Sequence, residues 1–137
     1  MSTEPDERNF NSPTALHDLG WEEQGFEWEH PWTPKKKELA LASLKECGKE
    51  TGRILDFGCG DAVMVQFFHE LGYESEGVDI SKIVIDDNKN KFPDLKFNVV
   101  TPGTSTPYPD ASFDVIFCSE VIEHLYDVNF AFSEFNR

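Results

Sequence analysis

The chain is poor in cysteine. Cys47, Cys59 and Cys118 are the only three in 137 residues, and they lack both a CxxC pair and the cysteine–histidine spacing of a zinc site. A disulfide framework and a zinc fold are thereby excluded. Basic residues are scarce as well: 12 Lys and Arg stand against 26 Asp and Glu, for a formal charge of −14. That field repels phosphate backbones and anionic lipid surfaces, which argues against nucleic acid and membranes as partners. Long apolar runs are missing, none approaching the ~20 residues that cross a bilayer. The N-terminus, MSTEPDERNF, is acidic where a secretory signal would be basic and then apolar. Together these absences predict a soluble, cytoplasmic protein whose length has room for one globular domain.

What is present is unevenly placed. Eight acids and a single base, Arg8, precede residue 35, so half of the net charge sits in the first quarter of the chain. Residues 1–33 read as an acidic arm, its first dozen residues disordered for want of anything to bury. Trp21, Phe26, Trp28 and Trp32 then place four large aromatics among those acids, a cluster that should dock on the domain or on a ligand. Residues 34–137 read as the domain proper. Thr33-Pro34 opens a helix with Leu39, Leu41, Leu44 and Cys47 on its apolar side, and Lys35, Lys36 and Lys37 form a solvated first turn.

From there strands and helices alternate. Arg53 to Phe57 (RILDF), Glu74 to Ile80 (ESEGVDI), Leu95 to Val100 (LKFNVV) and Phe113 to Cys118 (FDVIFC) have the short apolar character of buried strands. Between them, Asp61 to Leu71 carries Met64, Phe67, Phe68 and Leu71 at helical spacing, and Ser81 caps a helix that Phe92-Pro93 ends. Tyr126 to Asn136 closes the chain as a helix. Such alternation specifies right-handed βαβ crossovers, an α/β fold with a mostly parallel sheet covered on both faces, and ligands at the carboxyl ends of the strands.

At those ends lies ILDFGCGDA (Ile54 to Ala62), a strand that carries Asp56, a turn with Gly58 and Gly60, and a helix start. Glycine serves there by its positive φ and by leaving the backbone bare for a ligand, although a plain strand-to-helix turn would use it too. Nineteen residues past Gly60, Asp79 ends the second strand in GVDIS, where a carboxylate can accept both hydroxyls of a ribose. Glycine loop and acid fit two cofactor classes. The dinucleotide fingerprint GxGxxG would need its third glycine at Val63, which weakens an NAD reading.

ILDFGCGDA, GVDIS and TPYPDASFDVIFCSEVIEHLYD together resemble the class I S-adenosylmethionine-dependent methyltransferases. The likeness is to the small-molecule, type 11 group, whose motifs read LDxGCGxG, GxDxS and LPFPDxSFDxVxCSxVxEHxxD. The three motifs follow in order from Arg53 to Asp127. The resemblance implies a Rossmann-like sheet with strand order 3-2-1-4, S-adenosyl-L-methionine as cofactor and a small-molecule methyl acceptor. It also implies roles: Asp56, Gly58, Cys59 and Gly60 under the methionine part of the cofactor, with Asp56 facing its ammonium. Asp79 would bind the ribose, Ile80 the adenine face and the Gly103 backbone the ring edge, while Ser119 would line the cleft. Two positions depart from the pattern, Ala62 at the third glycine and Pro102 where the family has an aspartate after its third strand.

CSEVIEHL (Cys118 to Leu125) follows the fourth strand. Glu120, Glu123 and His124 would share one face of a helix, and three readings stand side by side. Glu123 and His124 hold a turn; or His124 is a catalytic base or orienting group near the acceptor; or the three ligate a divalent cation, as ExxEH does in some small-RNA 2′-O-methyltransferases. The family's seven strands run 3-2-1-4-5-7-6, whereas four are legible here, so strands 5–7 are expected to be absent. The fourth strand would then be an open edge, pairing with a second copy or a partner chain. A non-catalytic module derived from a methyltransferase is the alternative function.

Overall fold

The computed structural model describes residues 18, 21–23 and 30–137. The expected aromatic cluster is therefore visible only at Trp21 and Trp32; Phe26 and Trp28, and the first dozen residues, lie outside the described residues. In chain order the elements are α1 (Thr33–Glu46), β1 (Arg53–Phe57), α2 (Val63–Glu70), β2 (Glu74–Asp79), α3 (Lys82–Lys91), β3 (Lys96–Val99), β4 (Val115–Phe117), a 3-10 turn (Ile122–His124) and α4 (Val128–Asn136). The four strands form one parallel sheet, as the alternation predicted, in the order β3-β2-β1-β4 that the family resemblance implied.

Local chemistry sets where each element begins. Pro34 stands in the first turn of α1, where its missing N–H costs nothing. The Ser81 hydroxyl accepts the Val84 N–H and starts α3, while Asp127 accepts the Phe130 N–H and moves the start of α4 from the expected Tyr126 to Val128. α2 begins at Val63 rather than Asp61, because Ala62 takes a left-handed φ of 64° and the chain turns before it can coil. β4 is shorter than its apolar run, since only Val115–Phe117 find partners, opposite Ile54–Asp56.

Alternation along β1 divides the packing. Ile54 faces a core of Ala40, Leu44, Met64, Phe68 and Tyr73, with Phe117 edge-on to Phe68 at 5.2 Å between ring centroids. A second cluster of Cys59, Ala62, Val65, Ile85 and Phe97 ties α2 and α3 to the far half of the sheet. Leu55 and Phe57 point the other way, and Phe57 meets Phe135 of α4 edge-on at 5.0 Å. Helices thus cover both faces. At the amino end of β1, Arg53 pairs with Glu74 and Glu76, and its N–H donates to Asp114 at 2.9 Å. The opposite, carboxyl end of the sheet is left to the glycine loop.

Candidate functional site

After Phe57 the chain leaves the sheet and folds back over the end of β2. The N–H groups of Gly58 and Cys59 both donate to the Val78 carbonyl, at 2.8 and 2.9 Å. Gly60 N–H donates to one oxygen of Asp79 and Ser81 N–H to the other, each at 3.0 Å. Loop and acid, paired in the sequence only by spacing, are joined directly. Both glycines are required where they stand. A Cβ on Gly58, at φ 80°, would lie 2.2 Å from Val121 Cγ2; one on Gly60, at φ 50°, would lie 3.0 Å from the indole of Trp21.

Asp56 sits beneath this loop, buried, and its carboxyl takes part in no hydrogen bond among the described residues. Burial pushes its pKa up to about 8; the Lys36 ammonium works against that shift, and the Asp79 and Asp61 charges add to it. Three carboxyl groups thus converge on the loop with one ammonium near them. Lys36 does not belong to a uniformly solvated turn, as its sequence context suggested. Its Nζ reaches Glu120 Oε2 at 2.5 Å, and that bond holds the Glu120 carboxyl below its ordinary range. Lys35 pairs on the surface with Glu38, and Lys37 lies over the Phe67 ring at 5.4 Å.

The segment after β4 is a turn and not an α-helix. Glu120 takes a φ of 59°, and Ile122–His124 wind as a single 3-10 turn with Glu123 and His124 exposed. Glu120, Glu123 and His124 therefore do not share a helical face. Among the described residues no three His, Cys, Asp or Glu side chains gather to hold a metal ion, so the cation alternative has no assembled ligand set. The same turn puts Val121 against Gly58.

The remaining predicted positions are dispersed. Cys59 is buried inside the loop, and burial together with the Asp56 charge pushes its thiol well above the usual range, which suits packing and not nucleophilic chemistry. Cys118 is pushed up to about 11, by burial first. Ile80 and Ser119 are half-buried at the ends of β2 and β4, and Gly103 is exposed in the turn after β3. Gly103 and Ser119 make no hydrogen bond to the glycine loop. Sequence spacing missed Lys36, Val121 and Asn88, whose Nδ2 donates to the Gly60 carbonyl at 2.7 Å. Each reaches the site from far along the chain, and no local pattern marks it.

The family described as "Methyltransferase domain" matches residues 55–137. A ubiquinone biosynthesis O-methyltransferase of Neisseria meningitidis is 24% identical over 129 residues, covering 89% of this chain and 53% of the relative. The chain thus spans about half the length of that curated relative. Among solved structures, an S-adenosylmethionine-dependent methyltransferase from Mesorhizobium loti is 26% identical with a TM-score of 0.55, over 64% of this chain and 42% of that one. One from Thiobacillus denitrificans, in complex with S-adenosyl-L-homocysteine, shares the fold at a TM-score of 0.61 and 21% identity, over 86% of this chain and 49% of the other.

Proposed function

Because the chain belongs to the class I S-adenosylmethionine-dependent methyltransferase family, we propose that it binds S-adenosyl-L-methionine at the glycine loop and transfers the methyl group to a small molecule. The observation that carries this reading is Asp56: a buried carboxyl with no hydrogen bond among the described residues, beneath a glycine loop on which Val121 and Trp21 pack, suits a cationic ligand. The relatives' O-methyltransferase activity supports a hydroxyl as the accepting group.

When bound, the cofactor supplies a methyl group already activated by its sulfonium. The chain's own residues then have to bind, orient and exclude water. Asp56 would hold the ammonium, the backbone of Gly58, Cys59 and Gly60 the methionine chain, Asp79 the ribose hydroxyls, Ile80 the adenine face and Gly103 the ring edge. Ser119 would line the acceptor side. His124, exposed just beyond β4, is our choice for the group that takes the proton from an acceptor hydroxyl. In this reading residues 34–137 are the cofactor-binding portion of a methyltransferase, and residues 1–33 an arm that reaches it through Trp21. β4 bonds on one side only among the described residues, so we also place there the strand of a second copy or partner chain. A monomer by light scattering would remove that pairing.

Calorimetric titration with S-adenosylhomocysteine and, separately, with NAD tests the cofactor. Binding of the first alone is expected, and binding of NAD alone would overturn the reading. A panel of small hydroxylated acceptors with radiolabelled methyl donor then separates an enzyme from a binding module.

A further inference from the structure

Asn88 is a fully buried amide in the middle of α3, 28 positions from the loop it touches. Its Nδ2 donates to the Gly60 carbonyl at 2.7 Å and lies 4.0 Å from the Cys59 sulfur, while its Oδ1, equally buried, has no partner. The acceptor at Gly60 fixes which way the amide faces, since the reverse orientation would set two oxygens against each other. A buried amide with half of its polar atoms unsatisfied is a poor stability device, for an apolar side chain of equal volume would fill the space without stranding an oxygen. Something other than packing accounts for an amide here.

Gly60 supplies that reason. Its N–H is held by Asp79 and its carbonyl by Asn88, so the peptide groups on either side of one glycine are fixed from two different elements, β2 and α3. Glycine has the widest backbone freedom of any residue, and a loop built on it keeps one conformation only if its peptides are tied. We propose that Asn88 is a positioning residue: it fixes the Gly60 carbonyl and thereby presets the loop that receives the methionine part of the cofactor. The inference rests on the cofactor reading above, but its structural half stands independently of any ligand.

Asn88→Leu keeps the branched shape of the side chain, with bulkier methyl groups in place of the amide, and removes both the donor and the stranded oxygen. The variant should melt close to the parent, the loss of the stranded oxygen offsetting the tighter packing, while its dissociation constant for S-adenosylhomocysteine, measured well below the transition, rises about tenfold. In the ligand-free chain the amides of Gly60 and Asp61 should exchange with solvent faster, with those of β1 unchanged. Asn88→Ala is the companion variant, expected to weaken binding similarly while also lowering the melting temperature through the cavity it leaves. A lower melting temperature for Asn88→Leu with unaltered affinity would show a purely structural residue and overturn the proposal. Unaltered exchange at Gly60 would overturn it as well. Should the parent chain bind no S-adenosylhomocysteine, the cofactor reading fails, and loop exchange alone still decides whether Asn88 holds the loop.

Discussion

Asp56 makes ligand binding a matter of pH. Its carboxyl is pushed up to about 8 by burial, so at pH 6 roughly one molecule in a hundred carries the charge, and at pH 8 about half do. A ligand ammonium that binds only the ionised form sees that fraction as its competent population. Between pH 6 and 8 the affinity for S-adenosylhomocysteine should therefore rise about fifty-fold, or about 2.3 kcal/mol, with close to one proton released per ligand at the acid end. Calorimetry in two buffers of different ionisation enthalpy reads both quantities. Stability runs the other way. The folded carboxyl titrates above its unfolded counterpart at 3.8, so the folded state binds more protons through the interval between them. The contribution of Asp56 to stability is full below about pH 4 and falls by about 1.4 kcal/mol per unit from roughly pH 5 to 7, levelling above about 8. Asp56→Asn should abolish both slopes, raise the stability at pH 8 and weaken binding there by about 1.5 to 3 kcal/mol, the value of a charged hydrogen bond. An affinity that stays flat from pH 6 to 8, without proton release, would refute the assignment of Asp56 to the ammonium.

Asp79→Ala removes the acceptor of the Gly60 and Ser81 N–H groups and should cost about 1 to 3 kcal/mol both in urea-derived stability and in S-adenosylhomocysteine affinity; an unchanged affinity would put the ribose elsewhere. Gly58→Ala collides with Val121 and should lower stability by about 1 to 3 kcal/mol, and adding Val121→Ala should recover part of the loss, because the clash is with a Val121 methyl. A double-mutant cycle by thermal melting would show that coupling, and strict additivity would deny it. Trp21 lies on Gly60, so S-adenosylhomocysteine should change the intrinsic fluorescence of the chain, and Trp21→Phe should remove most of the change while Trp32→Phe leaves it. Phe68→Ala should destabilise by about 3 to 5 kcal/mol in chemical denaturation, since the ring is fully buried among Tyr73 and Phe117.

What was legible in the sequence is what short-range chemistry decides. Helical spacing in Met64, Phe67 and Phe68, the cap at Ser81 and the stop at Phe92-Pro93 all act within a few residues, and the structure keeps them, while Leu71 falls at the exposed cap just past the helix. The glycine loop and Asp79 were legible as a pair because a βαβ unit has a nearly fixed length, which turns a sequence interval into a contact. Where the outcome depended on residues brought together from afar, spacing was silent or misleading. Lys36 meets Glu120 across 84 positions, so a lysine that reads as first-turn solvent face becomes part of the site. The helical face foreseen for Glu120, Glu123 and His124 does not form, because the chain turns through a left-handed Glu120 instead of coiling. Asn88 reads as one more polar residue of α3, and nothing local distinguishes it from Asn90.

The one-sided pairing of β4 bears on the order in which the chain assembles. β1 finds β2 across one short crossover and grips it through five register pairs, whereas β4 returns to β1 from 61 positions away and holds by three. Closing the longer loop costs about 1 kcal/mol more, repaid by fewer bonds. β1 to β3 with α2 and α3 thus make the cooperative unit that folds first, and β4 with the turn behind it docks late and opens early. Val121 and Glu120 travel with that late unit, so one wall of the glycine loop is put up and taken down by partial unfolding while the loop itself, bonded to β2 and α3, persists.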